Sequence, residues 1–273
     1  MKSLLILIVS ASSCLGAIVT KIGTSDFQTT KGTVARQTLL FAQMTNQTSL
    51  TISCWVKYNW TDAGVNSQLG AGAFQGLVSK GAFPGSGALQ FGLFSASEKI
   101  GFSFDSPVNT YHTWSTTGNS VQTNSWMHLA ASFTYSNGPS FRLFINGTNS
   151  IGSFVAGNGN AVGQTNAVSY HNFLYQKAPS SSFFGGAMSE LAIWTNALST
   201  NQIYQLAASR VKHMPLQISP ATLLFYWPMD TKPHLPTITG ENNICRDLTS
   251  THFDLDAGGI FYGERVLSYQ PNE

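Results

Sequence analysis

Residues 124–147 read NSWMHLAASFTYSNGPSFRLFING, and this stretch decides the fold class. Apolar residues alternate with smaller or polar ones in both halves, as in strands whose two faces differ. Between the halves, Ser136-Asn137-Gly138-Pro139 is a turn signal, so the stretch predicts a β-hairpin. The residues that share a face are Leu129, Ala131 and Phe133 in the first strand and Phe141, Leu143 and Ile145 in the second.

Similar strand patterns recur on both sides of this hairpin, separated by Gly, Pro, Ser and Asn. Many strands at turn-punctuated spacing, without alternating helices, predict an all-β sandwich of two antiparallel sheets. The predicted strands are 49–58, 76–80, 88–95, 99–105, 125–135, 141–146, 153–156, 168–174, 187–194 and 223–227.

One short helix interrupts the strands, at residues 200–212. Ser199-Thr200-Asn201-Gln202 has the pattern of a capping box, in which Ser199 and Gln202 satisfy each other's backbone amides. Arg210 and Lys212 suit the last turn of such a helix, and Pro215 would stop it.

The composition points to a polar but weakly charged surface. Only 10% of the 273 residues are charged, and the formal net charge is +2, whereas soluble domains average about 25% charged residues. Nucleic-acid binding through a basic stripe is therefore excluded as a partner class. A surface of Ser, Thr, Asn, Gln and Gly is typical of proteins outside the cytoplasm.

The N-terminal residues resemble a secretory signal peptide, predicted at residues 1–17. Lys2 precedes the apolar run 4–9, and small residues lead to a cleavage position near Ala17. A membrane anchor over 3–20 and a lipid-modified Cys14 are the alternatives. No later segment has 18 apolar residues, so we expect no membrane span in the mature chain. Export to the extracellular space or the periplasm follows.

The mature chain, residues 18–273, is predicted to be a single domain. Its core covers 40–230, and a Pro-, Asn- and Asp-rich tail, 231–273, wraps around it. Cys54 and Cys245 would form an even pair in an oxidising compartment. The interpretation we favour is that Cys54 is instead a small buried residue within its strand.

Six segments resemble laminin-G-like domains of the concanavalin A-like lectin/glucanase type. The resemblance implies a jelly-roll sandwich, a calcium ion in some relatives, and indole rings at Trp55, Trp126 and Trp194 that fill the sandwich core. It covers roughly residues 40–210 and is strongest at 124–133. The other segments are 50–56, 75–81, 142–147, 184–191 and 197–203, and a weaker similarity extends over 224–230.

Catalytic patterns are absent from the sequence. Retaining glycosidases use two carboxyl groups about 5–5.5 Å apart, and none of the chain's glutamates stands two residues before an Asp. Asp254 and Asp256 have the right spacing but lie in the tail. Glu190 occupies a position that in the resembled family closes a structural hydrogen bond, and His128 follows a strand Trp as a structural histidine. No acidic loop has a recognisable calcium spacing, so the metal remains unknown.

Aromatic residues outside the predicted strands are the candidates for ligand binding. Trp60 and Asp62 open a Gly-rich loop, and Tyr111 and Trp114 precede a Ser/Thr-rich one. An exposed ring stacks on the apolar face of a sugar, while a neighbouring carboxylate bonds to its hydroxyls. The alternative is that these rings cover the edge of the core.

The sequence thus predicts a secreted, non-catalytic domain that binds a glycan, a surface glycoprotein or a polysaccharide. A structural or virion-decorating protein without a small ligand is one alternative, and a divergent glycoside hydrolase is the enzymatic one.

Overall fold

The computed structural model describes separate segments of the chain between residues 17 and 266. The described residues are 17–20, 47–58, 74–80, 89–94, 99–105, 111–116, 121–123, 125–134, 141–156, 171–173, 175–176, 182–183, 186–209, 213–228, 244–245, 248–250, 255–256 and 265–266.

Two antiparallel sheets make up the described fold. The larger has eight strands in the order β18-β1-β14-β2-β7-β8-β9, with β15 also paired to β14. Its strands are β1 (Ala17–Thr20), β2 (Ser49–Tyr58), β7 (Trp126–Thr134), β8 (Arg142–Ile145), β9 (Thr148–Asn149), β14 (Gly186–Trp194), β15 (Leu223–Trp227) and β18 (Arg265–Val266).

The smaller sheet has six strands in the order β10-β6-β5-β4-β3-β11. They are β3 (Phe74–Lys80), β4 (Leu89–Phe94), β5 (Lys99–Asp105), β6 (Tyr111–Thr116), β10 (Ile151–Ala156) and β11 (His171–Phe173). Two further hairpins pair β12 (Tyr175–Gln176) with β13 (Ser182–Phe183) and β16 (Ile244–Cys245) with β17 (Leu255–Asp256).

The predicted hairpin is present, and its apolar face lies in the main core. Leu129 pairs with Ile145 and Ala131 with Leu143 between β7 and β8, and these four residues belong to the core between the sheets or pack against it. Strand alternation explains why every second residue is inward, since successive side chains point to opposite faces.

The turn between β8 and β9 needs the Asn-Gly pair that the sequence places there. Asn146 and Gly147 both have positive φ, 49° and 78°, as a two-residue hairpin turn requires. A side chain at Gly147 would also meet Tyr204 Cα at 3.0 Å. Glycine is therefore required here both by conformation and by space.

A second apolar layer covers the outer face of the eight-stranded sheet. The helix α1 (Thr200–Ala208) and two 3-10 helices, Met214–Gln217 and Pro220–Thr222, lie on this face. The buried residues of this second cluster are Ala130, Phe144, Ala192, Trp194, Leu198, Ile203, Leu206, Ile218 and Tyr226. Both faces of the sheet are therefore buried.

The second layer corrects the expected role of three indoles. Trp194 belongs to the outer cluster, and Trp55 packs with Trp126 in a separate small cluster. All three were expected to fill the space between the sheets. Their strand positions alternate with the inward residues, such as Val56 and Ile193, so they point to the opposite face.

The helix has the predicted start but ends earlier than predicted. The capping box at Ser199 and Gln202 is present. Ser209 N–H makes the last helical hydrogen bond, to Gln205 O, and the helix stops at Ala208 because Ser209 adopts extended backbone angles. Arg210 and Lys212, expected in the last turn, lie outside the described residues, and Pro215 lies in a 3-10 helix.

Cys54 is a buried free thiol in β2, so it forms no bridge with Cys245. This agrees with the interpretation of Cys54 as a small core residue. The predicted signal peptide lies outside the described residues except for Ala17, where β1 begins.

Candidate functional site

Trp114, proposed from sequence as an exposed stacking ring, faces the core. It lies in β6, which the sequence analysis treated as a region outside strands. Only 4% of its surface is exposed, and its ring stacks on Phe141 with centroids 4.5 Å apart and planes inclined by 6°. The expectation of an exposed platform is therefore wrong at Trp114.

Of the other three candidates, the structure describes only the backbone of Tyr111. Tyr111 is the first residue of β6, where its backbone pairs with Asp105 of β5. The side chain of Tyr111 and all of Trp60 and Asp62 lie outside the described part of the structure. Their role in binding stays a prediction.

A row of polar side chains crosses the outer face of the six-stranded sheet. Gln90 pairs with Ser103, which pairs with Thr113 on the next strand. Ser103 Oγ and Thr113 Oγ1 are 2.9 Å apart and hydrogen-bonded. All three side chains are buried, so they form a floor on the side of the sheet opposite Trp114.

Beside this floor, glycines line up on three neighbouring strands. Gly76 of β3 pairs with Gly92 of β4, and Gly92 pairs with Gly101 of β5. Ser115 of β6 continues the row. Glycine weakens a strand and commonly marks a place where a ligand or another backbone approaches closely. All four residues are buried, and the glycines leave a lane without side chains on this face of the sheet.

A second polar group lies on the outer face of the eight-stranded sheet. Ser53 Oγ is 2.7 Å from His128 Nε2, and both residues are buried. The His128 ring also packs edge-on against Trp55, with centroids 5.3 Å apart. Asn146 Oδ1 accepts a hydrogen bond from the His128 backbone N–H, which ties this residue to the β8–β9 turn.

Glu190 sits beside this pair in an unusual backbone conformation. Its φ is 52°, at an irregularity in the pairing of β14 with β2. The Tyr226 hydroxyl donates to Glu190 Oε2 at 2.5 Å, and His213 Nδ1 is 2.8 Å from the same hydroxyl. The buried carboxylate thus has the structural hydrogen bond that the resemblance implied.

The buried His128 and Glu190 are the candidates for acid–base chemistry in the second polar group. Burial lowers the pKa of His128 from 6.5 to about 3, so the imidazole is a weak base for activating Ser53. Glu190 is the one carboxylate whose side chain the structure describes, and it is 6% exposed and bonded to Tyr226. A retaining glycosidase needs a second carboxyl about 5–5.5 Å away.

The described residues show neither a metal-binding cluster nor a membrane-spanning helix. They contain no group of three or more His, Cys, Asp or Glu residues that could hold a metal ion. No helix among them is long and apolar enough to cross a membrane.

The sequence match identifies the family to which this architecture belongs. Residues 28–204 match the family model described as the concanavalin A-like lectin/glucanases superfamily. The chain belongs to this superfamily. The fold class expected from the sequence is confirmed. No curated protein sequence is found to match the chain.

Three solved structures illustrate the range of similar folds. One is a Bacteroides ovatus protein described as carbohydrate binding, with a TM-score of 0.49 and 16% identity over 88% of this chain and 54% of that one. Another is the CBM40 of a Ruminococcus gnavus IT-sialidase bound to α2,3 sialyllactose. Its TM-score is 0.46 and its sequence identity 14%, over 61% of this chain and 86% of that one. A third is a heptameric SAP-like pentraxin from Limulus polyphemus. Its TM-score is 0.37 and its sequence identity 14%, over 59% of this chain and 70% of that one. The chain spans about half the length of the Bacteroides protein.

The polar residues that meet near Glu190 were only partly visible in the sequence. His128 and Glu190 were singled out as structural, whereas Ser53, His213 and Tyr226 were not. The available signal was a polar residue between two apolar ones in a strand, as with Ser53 between Ile52 and Cys54. That pattern marks an outward position but does not say which strands bring such positions together.

Proposed function

We propose that this protein is a non-catalytic saccharide-binding domain whose ligand sits against the outer face of the six-stranded sheet, on strands β5 and β6. The observation that carries the proposal is the lane of Gly76, Gly92 and Gly101 beside the polar row of Ser103 and Thr113. Hydroxyl and amide groups match the hydrogen-bonding groups of a sugar. Aligned glycines cost strand stability, about 0.5–1 kcal/mol each, and are explained by close approach to the backbone.

Contact with the ligand falls to residues next to this row, near the start of β6. Ser103 and Thr113 are buried and bonded to each other, so they shape the floor and leave direct contact to others. Tyr111 shares their strand alternation at the start of β6. Trp60 and Asp62 complete the proposed set as a second ring and a partner for sugar hydroxyls.

Binding without catalysis is supported by the state of Glu190. This carboxylate accepts a hydrogen bond from Tyr226 beneath a covering layer of helices. It is on the outer face of the other sheet, away from the glycine lane.

Glycan-array screening followed by calorimetry tests this function. We expect one or more neutral oligosaccharides to bind, and Trp60→Ala and Tyr111→Ala each to weaken Kd by about tenfold, equivalent to about 1.4 kcal/mol. Asp62→Asn should weaken binding less, because the amide keeps hydrogen-bonding atoms. Trp114→Phe is the matched control, an aromatic change in the same strand that should lower Tm and leave Kd unchanged.

Three results would contradict the proposal. They are the absence of any glycan bound, equal affinity in the Trp60 and Tyr111 variants, and loss of affinity confined to Trp114→Phe. Hydrolysis of β-glucans that disappears in Glu190→Gln would replace binding with catalysis as the function.

We also propose that the chain is exported by its N-terminal segment, so that this site meets extracellular or periplasmic glycans. Cleavage after Ala17 would keep three of the four residues of β1 (Ala17–Thr20) in the mature chain. Sequencing the N-terminus of the exported protein should give Ile18 as the first residue. An intact Met1, or a lipid on Cys14, would contradict the cleaved signal.

A further inference from the structure

A small cavity lies between the eight-stranded sheet and the helices that cover it. Its volume is about 10 Å³, close to the minimum that accommodates one water molecule. Its sheet side is formed by Ser53, Trp55, His128 and Glu190, and its helix side by Leu206, Ser209, Met214 and Pro215.

The cavity is polar where it touches the sheet. Ser53, His128 and Glu190 each bring a hydrogen-bonding side chain to its floor. Empty cavities in proteins are lined by apolar groups, whereas polar cavities of this size hold water that makes two to four hydrogen bonds. The lining therefore indicates a hydrated site.

One lining residue, His128, has a buried atom with an unmet hydrogen-bonding requirement. His128 is 1% exposed, and its Nε2 is bonded to Ser53 Oγ. Its Nδ1 has no hydrogen-bond partner among the described residues. A ring nitrogen removed from water without a partner is destabilising, and native proteins usually satisfy such atoms with protein groups or ordered water.

We propose that one ordered water occupies this cavity and hydrogen-bonds to His128 Nδ1 and to the Glu190 carboxylate. The carboxylate has room for this bond, because its two oxygens offer about four acceptor positions. If Ser53 Oγ donates to Nε2, then Nδ1–H donates to the water, and the water donates to Glu190.

The water completes a polar connection between layers of the fold. This hydrogen-bonded network begins at Ser53 of β2 and continues through His128 and the water to Glu190. From there the Tyr226 hydroxyl leads to His213, which precedes the 3-10 helix Met214–Gln217. The water thus links the sheet to the helices that cover it.

This role explains the Ser–His pair without nucleophilic chemistry. Ser53 and His128 are within the distance of a nucleophile and its base, but Ser53 is 2% exposed. The adjoining space of about 10 Å³ has the size of one water molecule. The pair positions the water and the covering layer.

A crystal structure of the full chain at about 1.5 Å tests the site directly. We expect a water peak about 2.7–3.2 Å from His128 Nδ1 and within the same distance of a Glu190 oxygen. An empty cavity with well-ordered walls, or a direct bond from His128 Nδ1 to Glu190, would overturn the proposal. Labelling of Ser53 by a fluorophosphonate would also overturn it, because it requires an accessible nucleophile.

A substitution pair tests it in solution. Leu206→Met extends a flexible side chain from α1 into the cavity, and Leu143→Met makes the same change in the main core, away from it. Displacing a bound water leaves His128 Nδ1 unsatisfied, so we expect Leu206→Met to lower Tm by about 2–4 °C more than the control. A dry cavity would instead gain contacts, and a Tm for Leu206→Met at or above the control would contradict the bound water.

Discussion

At the scale of single residues, His128 shows how burial changes the pKa of a side chain. It is a polar residue between Met127 and Leu129, and alternation turns it away from the main core. The covering helices nevertheless bury it, and burial lowers its pKa from 6.5 to about 3. The imidazole is therefore neutral in the folded protein throughout the physiological range.

This pKa predicts a loss of stability in acid. Above pH 6.5 the ring is neutral in both states, so the full stability is present. Below pH 6.5 the His128 imidazole is protonated in the unfolded chain, whereas in the folded chain it stays neutral down to about pH 3. We expect the free energy of unfolding to fall by roughly 3 kcal/mol between pH 7 and pH 4 through this group.

Urea unfolding at several pH values measures this loss, and His128→Gln serves as the control. The variant lacks the titrating ring, so its stability should change less over the same range although it starts lower. Parallel pH profiles for the two proteins would show that His128 is not responsible.

At the scale of elements, α1 is important because it packs on the outer face of the eight-stranded sheet and buries it. Ile203, Leu206 and Ala207 are its buried residues, and the first two pack in the outer cluster with Trp194 and Tyr226. The loop before the helix is held by Thr51, whose hydroxyl accepts from Leu198 N at 2.9 Å and donates to Asn196 O at 2.7 Å. The sheet therefore fixes where the helix begins.

The capping box predicts a measurable contribution from Ser199. Its side chain accepts from Gln202 N, while Gln202 Oε1 accepts from Ser199 N at 2.9 Å. We expect Ser199→Ala to lower the free energy of unfolding by about 1 kcal/mol, because an amide of the first turn loses its partner. Chemical denaturation measures the change.

Ser199→Asp provides the matched control, since Asp also caps helices and suits the positive end of the helix dipole. Its stability should stay close to that of the wild type. Equal losses in the Ala and Asp variants would show that the cap itself is not the cause.

At the scale of the whole molecule, one edge of β14 is shared by two strands distant in sequence. Its first residues pair with β1, and Leu191–Trp194 pair with β15. The family match ends at residue 204, so β15 lies beyond it. In β15, Phe225 and Trp227 join the main core while Tyr226 joins the outer cluster.

Residues after the family match are therefore predicted to be necessary for folding. Removing everything after residue 209 deletes three aromatic residues that are 0% exposed, Phe225, Tyr226 and Trp227. Their burial is worth roughly 5–9 kcal/mol, comparable to the whole stability of a domain. We expect the 1–209 chain to lose cooperative thermal unfolding, as followed by circular dichroism.

The 1–228 chain is the control, because it keeps β15 and loses only later residues. It should unfold more cooperatively than the 1–209 chain. If the 1–209 chain unfolds as sharply as the 1–228 chain, the sandwich folds without β15 and the prediction is wrong.

The sequence by itself determined the features that depend on near neighbours along the chain. Strand β2, the hairpin of β7 and β8 and the capping box at Ser199 follow from side-chain alternation, turn residues and local hydrogen bonding. For the same reason the class of fold was correctly predicted, since many such strands without alternating helices leave few architectures.

Only the tertiary structure decided which surface each strand residue meets. Trp55 and Trp194 were assigned to the main core, but both faces of their sheet are covered, so an apolar residue no longer identifies the inner face. Trp114 was assigned to a loop because the polar residues beside it in β6 mask the strand pattern. The same covering layer brings Ser53, His128 and Glu190 around one cavity, and pairing between strands far apart in sequence sets that arrangement.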